Sequence, residues 1–509
     1  MSVARTWSVA LAGVEGTMVE VEASQSNATP ELRIIGLPDK ALGEAGHRVR
    51  SACANRGLPL PRRKVTINLS PASLPKQGSA FDLAIAIAAV ATELTMAAER
   101  LAETVHLGEL GLDGRLRAVP GVLPAVVAAA AAGFRRVVVP VANVAEAELV
   151  AGIEVQGAAT LSEVARSHGA IVDVDEPPAA PEAAPDEPAP PPPPDLAEVI
   201  GQREAVEALV TAAAGGHHLL MCGPPGAGKT MLAQRLPGIL PDLDDAAALT
   251  AASIRSLTGV PVTSLERTPP FEAPHHSASI AALVGGGSRG VRPGAIVRAS
   301  EGVLFLDEAG EFAASALDAL RQPLESGRIV IHRAAGTAAF PARFQLVLAT
   351  NPCPCGNHGI RGAVCECPPA AIRRYLNRLS GPLLDRIDIQ LTMTRVVVAD
   401  SRLLSPGPTT AQARAQVREA RARAAHRLRD TPWRTNAQVS GAWLRDGPHA
   451  PPPVIRRPLD AALHRGALTL RGFDRALRTA WSIADIAARP QLSLDDIAHA
   501  LYLKKGFAS

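Results

Sequence analysis

Gly223-Pro-Pro-Gly-Ala-Gly-Lys-Thr230 fits the phosphate-loop pattern G-x-x-x-x-G-K-[ST] at every fixed position. A triphosphate carries dense negative charge. Backbone N–H groups can cradle it only where the chain turns tightly with no Cβ in the way, which is what Gly226 and Gly228 permit. Gly223, Pro224, Pro225, Gly226, Ala227, Gly228, Lys229 and Thr230 are therefore the candidate nucleotide cradle. Lys229 is suited to reach the β- and γ-phosphates, and the Thr230 hydroxyl to hold Mg2+. The flanks agree with this context. His218-Leu-Leu-Met-Cys222 reads as a short buried strand, and Met231-Leu-Ala-Gln-Arg235 opens a helix. A Gly/Pro-rich turn matching by chance would lack that strand and helix.

Working outward, Val303-Leu-Phe-Leu-Asp-Glu308 is an apolar run that ends in two carboxylates. Such an arrangement is costly unless the charges are used. Asp307 is the candidate for the Mg2+ shell. Glu308 is the candidate base that polarises an attacking water, so the pair favours hydrolysis over mere nucleotide binding. A strand followed by an acid-rich helix start is the bland alternative. Phe344–Ala349 is a second continuous apolar run, as expected of a strand buried on both faces of a parallel sheet. It leads to Asn351, whose amide can orient water near a γ-phosphate or simply cap a turn. Leu383-Leu-Asp-Arg-Ile-Asp388 sets Arg386 between carboxylates. An arginine there can reach a neighbouring subunit's γ-phosphate, or pair with Asp385 or Asp388 in its own chain.

The chain has 509 residues, long for one domain, with 47% apolar and 20% charged residues, as in ordinary globular proteins. Residues 173–194 are proline-rich and acidic and cannot pack as a core, so they read as a semi-rigid linker. Residues 1–172 mix strand and helix signals, with strands at Thr6–Ala12, Thr17–Ala23, Val65–Leu69 and Arg136–Pro140. Helices are expected at Ala41–Arg56, Asp82–Ala91 and Leu123–Ala132, an α+β pattern with a βαβ-like unit. Residues 195–400 alternate strands and helices. Residues 401–509 read as helices only: Thr410–Arg429, then three within Leu459–Leu503. Residues 401–509 hold 18 Lys and Arg against 8 Asp and Glu, net +10 in a chain of net +3. A polyanion-binding surface and an arginine-rich solvated face both fit this charge. Met1–Trp7 lacks a secretory pattern, and the most apolar stretches fall short of the ~18–20 residues of a membrane span. Cytoplasmic residence without membrane association is the expectation.

The cradle, the Asp-Glu strand, Asn351 and Leu-Asp-Arg-Ile-Asp, in this order, resemble AAA+ ATPases of the magnesium-chelatase-like branch. Ala213-Ala-Gly-Gly-His-His-Leu-Leu220, Phe271-Glu-Ala-Pro-His-His276, Leu320-Arg-Gln-Pro-Leu-Glu325, Asn351-Pro-Cys-Pro-Cys-Gly356 and Leu379-Ser-Gly-Pro-Leu-Leu-Asp-Arg386 narrow this to a resemblance to the ComM/YifB type, over nearly the whole chain. The resemblance implies a multidomain α/β protein: a Lon-protease-like (ribosomal S5-like) N-terminal domain, a P-loop AAA+ domain with a parallel sheet, and a C-terminal helical lid. It implies ATP and Mg2+ as cofactors, a homo-hexameric ring with ATP between subunits, and Arg386 as arginine finger. Arg471 best matches a second sensor arginine, with Arg475 and Arg478 one and two turns on. It further implies a helicase driving branch migration of single-stranded or branched DNA in natural transformation. The alternatives are a chelatase-type ATPase remodelling a protein partner, and an adaptor whose ATPase regulates assembly. In the Lon-like domain the dyad serine position falls on Ala80, with Ser79 one residue off, and the lysine position on Leu123. A dyad without its lysine has no base, so no peptidase activity is expected.

Cys353, Cys355, Cys365 and Cys367 stand as two C-x-C pairs. Four thiolates can make a tetrahedral Zn2+ site, though C-x-C is tighter than the usual C-x2–4-C, and His358 is a spare ligand. Four reduced cysteines in a loop is the alternative. His275 and His276 read as part of an insertion loop with no assigned chemistry, and Cys53 and Cys222 as small core residues.

Overall fold

Alternating polar and apolar residues build the first sheet. The structure is a computed structural model describing residues 3–36, 40–58, 60–76, 78–174, 194–286, 292–333, 336–360, 362–396 and 407–505. β1 (Ala4–Ala12) and β2 (Glu15–Ser26) form an antiparallel hairpin with Trp7 opposite Glu20. Along β2 the period of two sends Val19, Val21 and Ala23 into the core and leaves Glu20 and Glu22 on the other face. Next come β3 (Leu32–Ile35), β4 (Lys64–Ser70), β5 (Thr104–His106), a small hairpin of β6 (Glu109–Leu110) and β7 (Leu116–Arg117), β8 (Arg136–Pro140) and β9 (Glu154–Ala158). All but the small hairpin join in one sheet of order β3-β4-β2-β1-β5-β8-β9. β5 and β8 are parallel, joined through the helix Val122–Ala131, which is the expected βαβ unit. The helix Asp82–Val90 is buried at every residue, which explains its unbroken apolar sequence. The expected helix over Ala41–Arg56 is split at Glu44 into Lys40–Gly43 and Ala45–Asn55.

Continuous apolar runs build the second sheet. β10 (Leu219–Cys222), β11 (Phe271–Glu272), β12 (Gly285–Gly286), β13 (Arg292–Pro293), β14 (Val303–Leu306), β15 (Arg328–Arg333), β16 (Gly336–Pro341), β17 (Gln345–Thr350) and β18 (Ile389–Thr392) follow in the chain. β12–β13 and β15–β16 are two-stranded antiparallel pairs. The others form one sheet of order β11-β14-β17-β10-β18, in which every pairing is parallel. β10, β14 and β17 are buried at every residue, as their composition demands. Because they run the same way, their C-terminal ends open on one edge. That edge is where open α/β sheets bind ligands.

The C-terminal region is helical: Thr410–Arg427, Pro453–His464, Leu470–Ile486 and Leu494–Lys505. It has its own core around Phe473, Leu477, Trp481 and Ile497. It also shares the core of the parallel sheet, where Ala413, Val417 and Leu503 pack with Leu219 and Val347. Most of the linker expected at 173–194, namely residues 175–193, lies outside the described residues. The first sheet nevertheless meets the second half directly. Leu123 packs with Ala252 and Val262, and the Gly121 N–H donates to the Ser256 carbonyl at 3.0 Å. Among the described residues no helix is long and apolar enough to cross a membrane.

Candidate nucleotide site

The cradle lies between β10 and the helix Lys229–Ile239. Gly226 and Gly228 have φ of +79° and +88°, the left-handed conformation that favours glycine. Lys229 is buried, and its Nζ donates to the carbonyls of Gly223 at 2.6 Å and Pro224 at 3.0 Å and to Asn351 Oδ1 at 3.0 Å. Burial lowers its pKa from the ordinary lysine value, against the opposing pull of Cys222, Asp307 and Glu308. Thr230 Oγ1 donates to Asp307 Oδ2 at 2.5 Å. Residues from three chain segments, Lys229 and Thr230 after β10, Asp307 after β14 and Asn351 after β17, thus meet within hydrogen-bond distance. They line a cleft of about 340 Å³ together with Gly226 and Glu308. Thr230 and Asp307 offer two adjacent oxygen donors, which suits a Mg2+ ion that takes one or two protein ligands and fills its shell with phosphate and water.

Glu308 adopts φ of +52°, rare for a residue with a Cβ. Its own N–H donates to Asp307 Oδ1 at 2.9 Å. Its carboxylate lies 2.9 Å from His276 Nδ1, a contact that the sequence reading missed. His276 follows β11, and β11 pairs with β14. The signal for this was a two-residue strand, too short to stand out in the sequence.

Arg386 is buried away from its own cleft. It donates to the Pro382 carbonyl at 2.7 Å and pairs with Glu325 at 2.8 Å, rather than with the in-chain partners Asp385 or Asp388. Asp388 instead holds Arg475 at 2.7 Å. Arg471 is exposed at the start of the helix Leu470–Ile486, while Arg478 donates to the Val439 carbonyl at 2.8 Å. Many basic residues of the C-terminal region have protein partners, among them Arg414 with Asp242, Arg421 with the Ala213 carbonyl, Arg427 with Asp485 and Arg434 with Asp244. The net charge of +10 therefore overstates the cation free for a ligand.

The four cysteines of the loop after β17 come together. Cys353 Sγ lies 3.3 Å from Cys355 Sγ and 3.7 Å from Cys365 Sγ, and all four sulfurs are within 4.8 Å of one another. Sulfurs at ~2.3 Å from a tetrahedral Zn2+ would stand about 3.8 Å apart, so the spacing fits. The backbone N–H of His358 donates to Cys353 Sγ at 3.3 Å. The Asn357 backbone N–H, then the Cys353 side chain, brings the Cys355 thiol down to about 6. His358 contributes its backbone here, and the four sulfurs already make up the set. Cys53 and Cys222 are buried, and burial pushes their thiols up to about 12 and about 11.

Near the expected serine position Ala80, Ser79, one residue off, donates its hydroxyl to Glu109 Oε2, and Leu123, at the expected lysine position, is fully buried in the seam against Ala252.

Family models described as magnesium chelatase, subunit ChlI, match residues 195–401, with further ChlI models at 19–143 and, for the ChlI C-terminal part, 407–504. Uncharacterized protein Rv2897c of Mycobacterium tuberculosis is 48% identical over 99% of each chain. Competence protein ComM of Haemophilus influenzae is 40% identical over 98% of this chain and 97% of its own. Uncharacterized protein YifB of Escherichia coli is 40% identical over 96% of this chain and 94% of its own. A stretch of 50 residues is 50% identical to the archaeal Lon protease of Pyrococcus abyssi, covering 9% of this chain and 5% of that one.

Proposed function

The chain belongs to the ComM/YifB-type magnesium-chelatase family, and from that premise we propose that it is an ATP-driven ring motor acting on DNA. An ATPase of this family uses ATP and Mg2+. In the reading proposed here, the cradle Gly223–Lys229 holds the phosphates, Thr230 and Asp307 hold Mg2+, and Glu308 takes the proton of the attacking water. Asn351 orients that water, Arg386 completes the site of the neighbouring protomer in a cytoplasmic homo-hexamer, and Arg471 senses nucleotide from the lid. The observation that carries the reading is the meeting of Lys229, Thr230, Asp307 and Asn351 at the ends of β10, β14 and β17. Two acids after an apolar strand support hydrolysis. The family support for a DNA task is the likeness to Competence protein ComM.

The same proposal treats residues 1–172 as a Lon-like domain without peptidase activity, 173–194 as a linker, 195–400 as the ATPase and 401–509 as the lid. The four-cysteine cluster is proposed as a structural Zn2+ site. Its sulfur spacing supports that assignment.

ATP turnover measured with and without single-stranded and branched DNA, across a salt titration, tests the DNA assignment. Stimulation by DNA that fades as salt rises is expected, because phosphate contacts release counterions. Turnover indifferent to both DNA forms at low salt would leave an ATPase that acts on a protein partner.

A further inference from the structure

The cysteine loop is seated on the phosphate loop. Among the described residues of 351–368 there is no helix or strand, so backbone ladders do not fix this segment. Gly356 lies inside it, with φ of +80°. A Cβ on Gly356 would stand 2.4 Å from Pro225 Cδ and 2.9 Å from Pro225 Cγ. The Gly356 N–H donates to the Cys353 carbonyl at 2.9 Å, which ties this close approach to the first cysteine. Cys353 is itself buried, and it follows Asn351 by two residues. The Asn351 amide oxygen accepts from Lys229 Nζ at 3.0 Å. The sulfur cluster is therefore joined to the nucleotide cleft along two short paths: through Gly356 to Pro225, and through the backbone to Asn351 and Lys229.

We propose that a divalent ion of the Zn2+ class, held by Cys353, Cys355, Cys365 and Cys367, braces the phosphate loop, so that nucleotide affinity depends on the metal. Binding the ion exchanges thiol protons for metal–sulfur bonds, and the protons leave to solvent. The ion closes the loop at both ends and removes most of its conformational freedom. Gly356 is then held against Pro225, and Asn351 against Lys229, before nucleotide arrives. Without the ion, nucleotide binding must also pay the entropy of ordering this loop. The inference rests on the nucleotide and metal assignments proposed above.

The test uses the full chain, with metal content by atomic emission and affinity from titration with a fluorescent ATP analogue and Mg2+. Two variants separate folding from bracing. Cys355→Ser with Cys365→Ser should lose the metal and weaken nucleotide binding by at least ~5-fold, the low end of coupling between sites. Gly356→Ala should keep all four sulfurs and the metal yet weaken nucleotide binding, because its Cβ displaces Pro225. The brace is overturned if the double variant loses metal but binds nucleotide as wild type does, or if Gly356→Ala binds normally. Wild-type protein that binds nucleotide but purifies without metal overturns it as well. Metal-loaded wild type that binds no nucleotide overturns the nucleotide assignment and the brace together.

Discussion

Glu308 sits at φ of +52° with its carboxylate against His276, 2.9 Å away. A non-glycine residue in that region costs on the order of 1–3 kcal/mol and persists where the surroundings impose it. Here the Glu308 N–H is held by Asp307 Oδ1 and its carboxylate by His276. Glu308→Gln should keep nucleotide binding and lower turnover by about 10²–10⁴-fold, the usual range for a positioned base. Turnover near the wild-type rate in that variant removes Glu308 as the base. His276 Nδ1 holds the Glu308 carboxylate at 2.9 Å and so restrains the proposed base, and His276→Ala should raise basal turnover in a steady-state assay. A slower or unchanged rate would deny it that restraining role. Lys229, Thr230, Asp307 and Asn351 were legible in the sequence because each follows an apolar run of four to six residues or a glycine pattern with local meaning. His276 was not legible, because its link to Glu308 depends on β11 lying beside β14, and nothing local to 271–276 announces that neighbour.

Among the elements, the segment entering β18 is tied to the helix Leu470–Ile486 by a buried ion pair. Arg475 donates to Asp388 Oδ1 at 2.7 Å, and Asp388 is 2% exposed. Burial pushes the Asp388 carboxyl up, but Arg475 and His217 outweigh it and hold the group well below the usual carboxylate range. A depressed carboxyl contributes stability above its unfolded pKa of ~3.9 and loses it as pH falls through the folded value. Removing one partner of such a pair costs about 3–5 kcal/mol. Arg475→Met should therefore lower unfolding stability by an amount in that range in denaturant titrations at neutral pH. A cost below ~1 kcal/mol would show that the lid is held by its apolar core alone. The long elements were legible in part, since the helices Arg203–Gly215 and Asp245–Thr258 and the hairpin β15–β16 were not read. The helices at 410–427 and 470–486 and the strands β10, β14 and β17 follow from periodicity and from apolar runs. β5 and β9 were missed, since three buried residues and a strand ending in Gly157-Ala158 carry little pattern of their own. The break at Glu44 was also invisible, because nothing in the helical pattern there demands it.

The whole molecule is organised by contacts that sequence distance hides. Leu123, at the place where the family resemblance would put a dyad lysine, is instead apolar and buried in the seam between the helices Val122–Ala131 and Asp245–Thr258. The N-terminal region is thus packed onto the half that carries the cleft. The basic balance of the C-terminal region looks different once partners are assigned, because much of its arginine is spent on Asp242, Asp244, Asp388 and Asp485. Arg386 stands apart. It is buried beside Glu325 and does not line its own chain's cleft. If it acts on nucleotide, it acts on a neighbour's. The direct measurement is ATP turnover by Lys229→Ala, by Arg386→Ala, and by the two mixed in equal amounts. Each variant alone should be inactive. The mixture should regain turnover, because the Lys229→Ala subunit brings an intact Arg386 to the Arg386→Ala subunit's intact cradle. A mixture as inactive as its components, or an Arg386→Ala protein that turns over at the wild-type rate, would contradict a site built by two protomers.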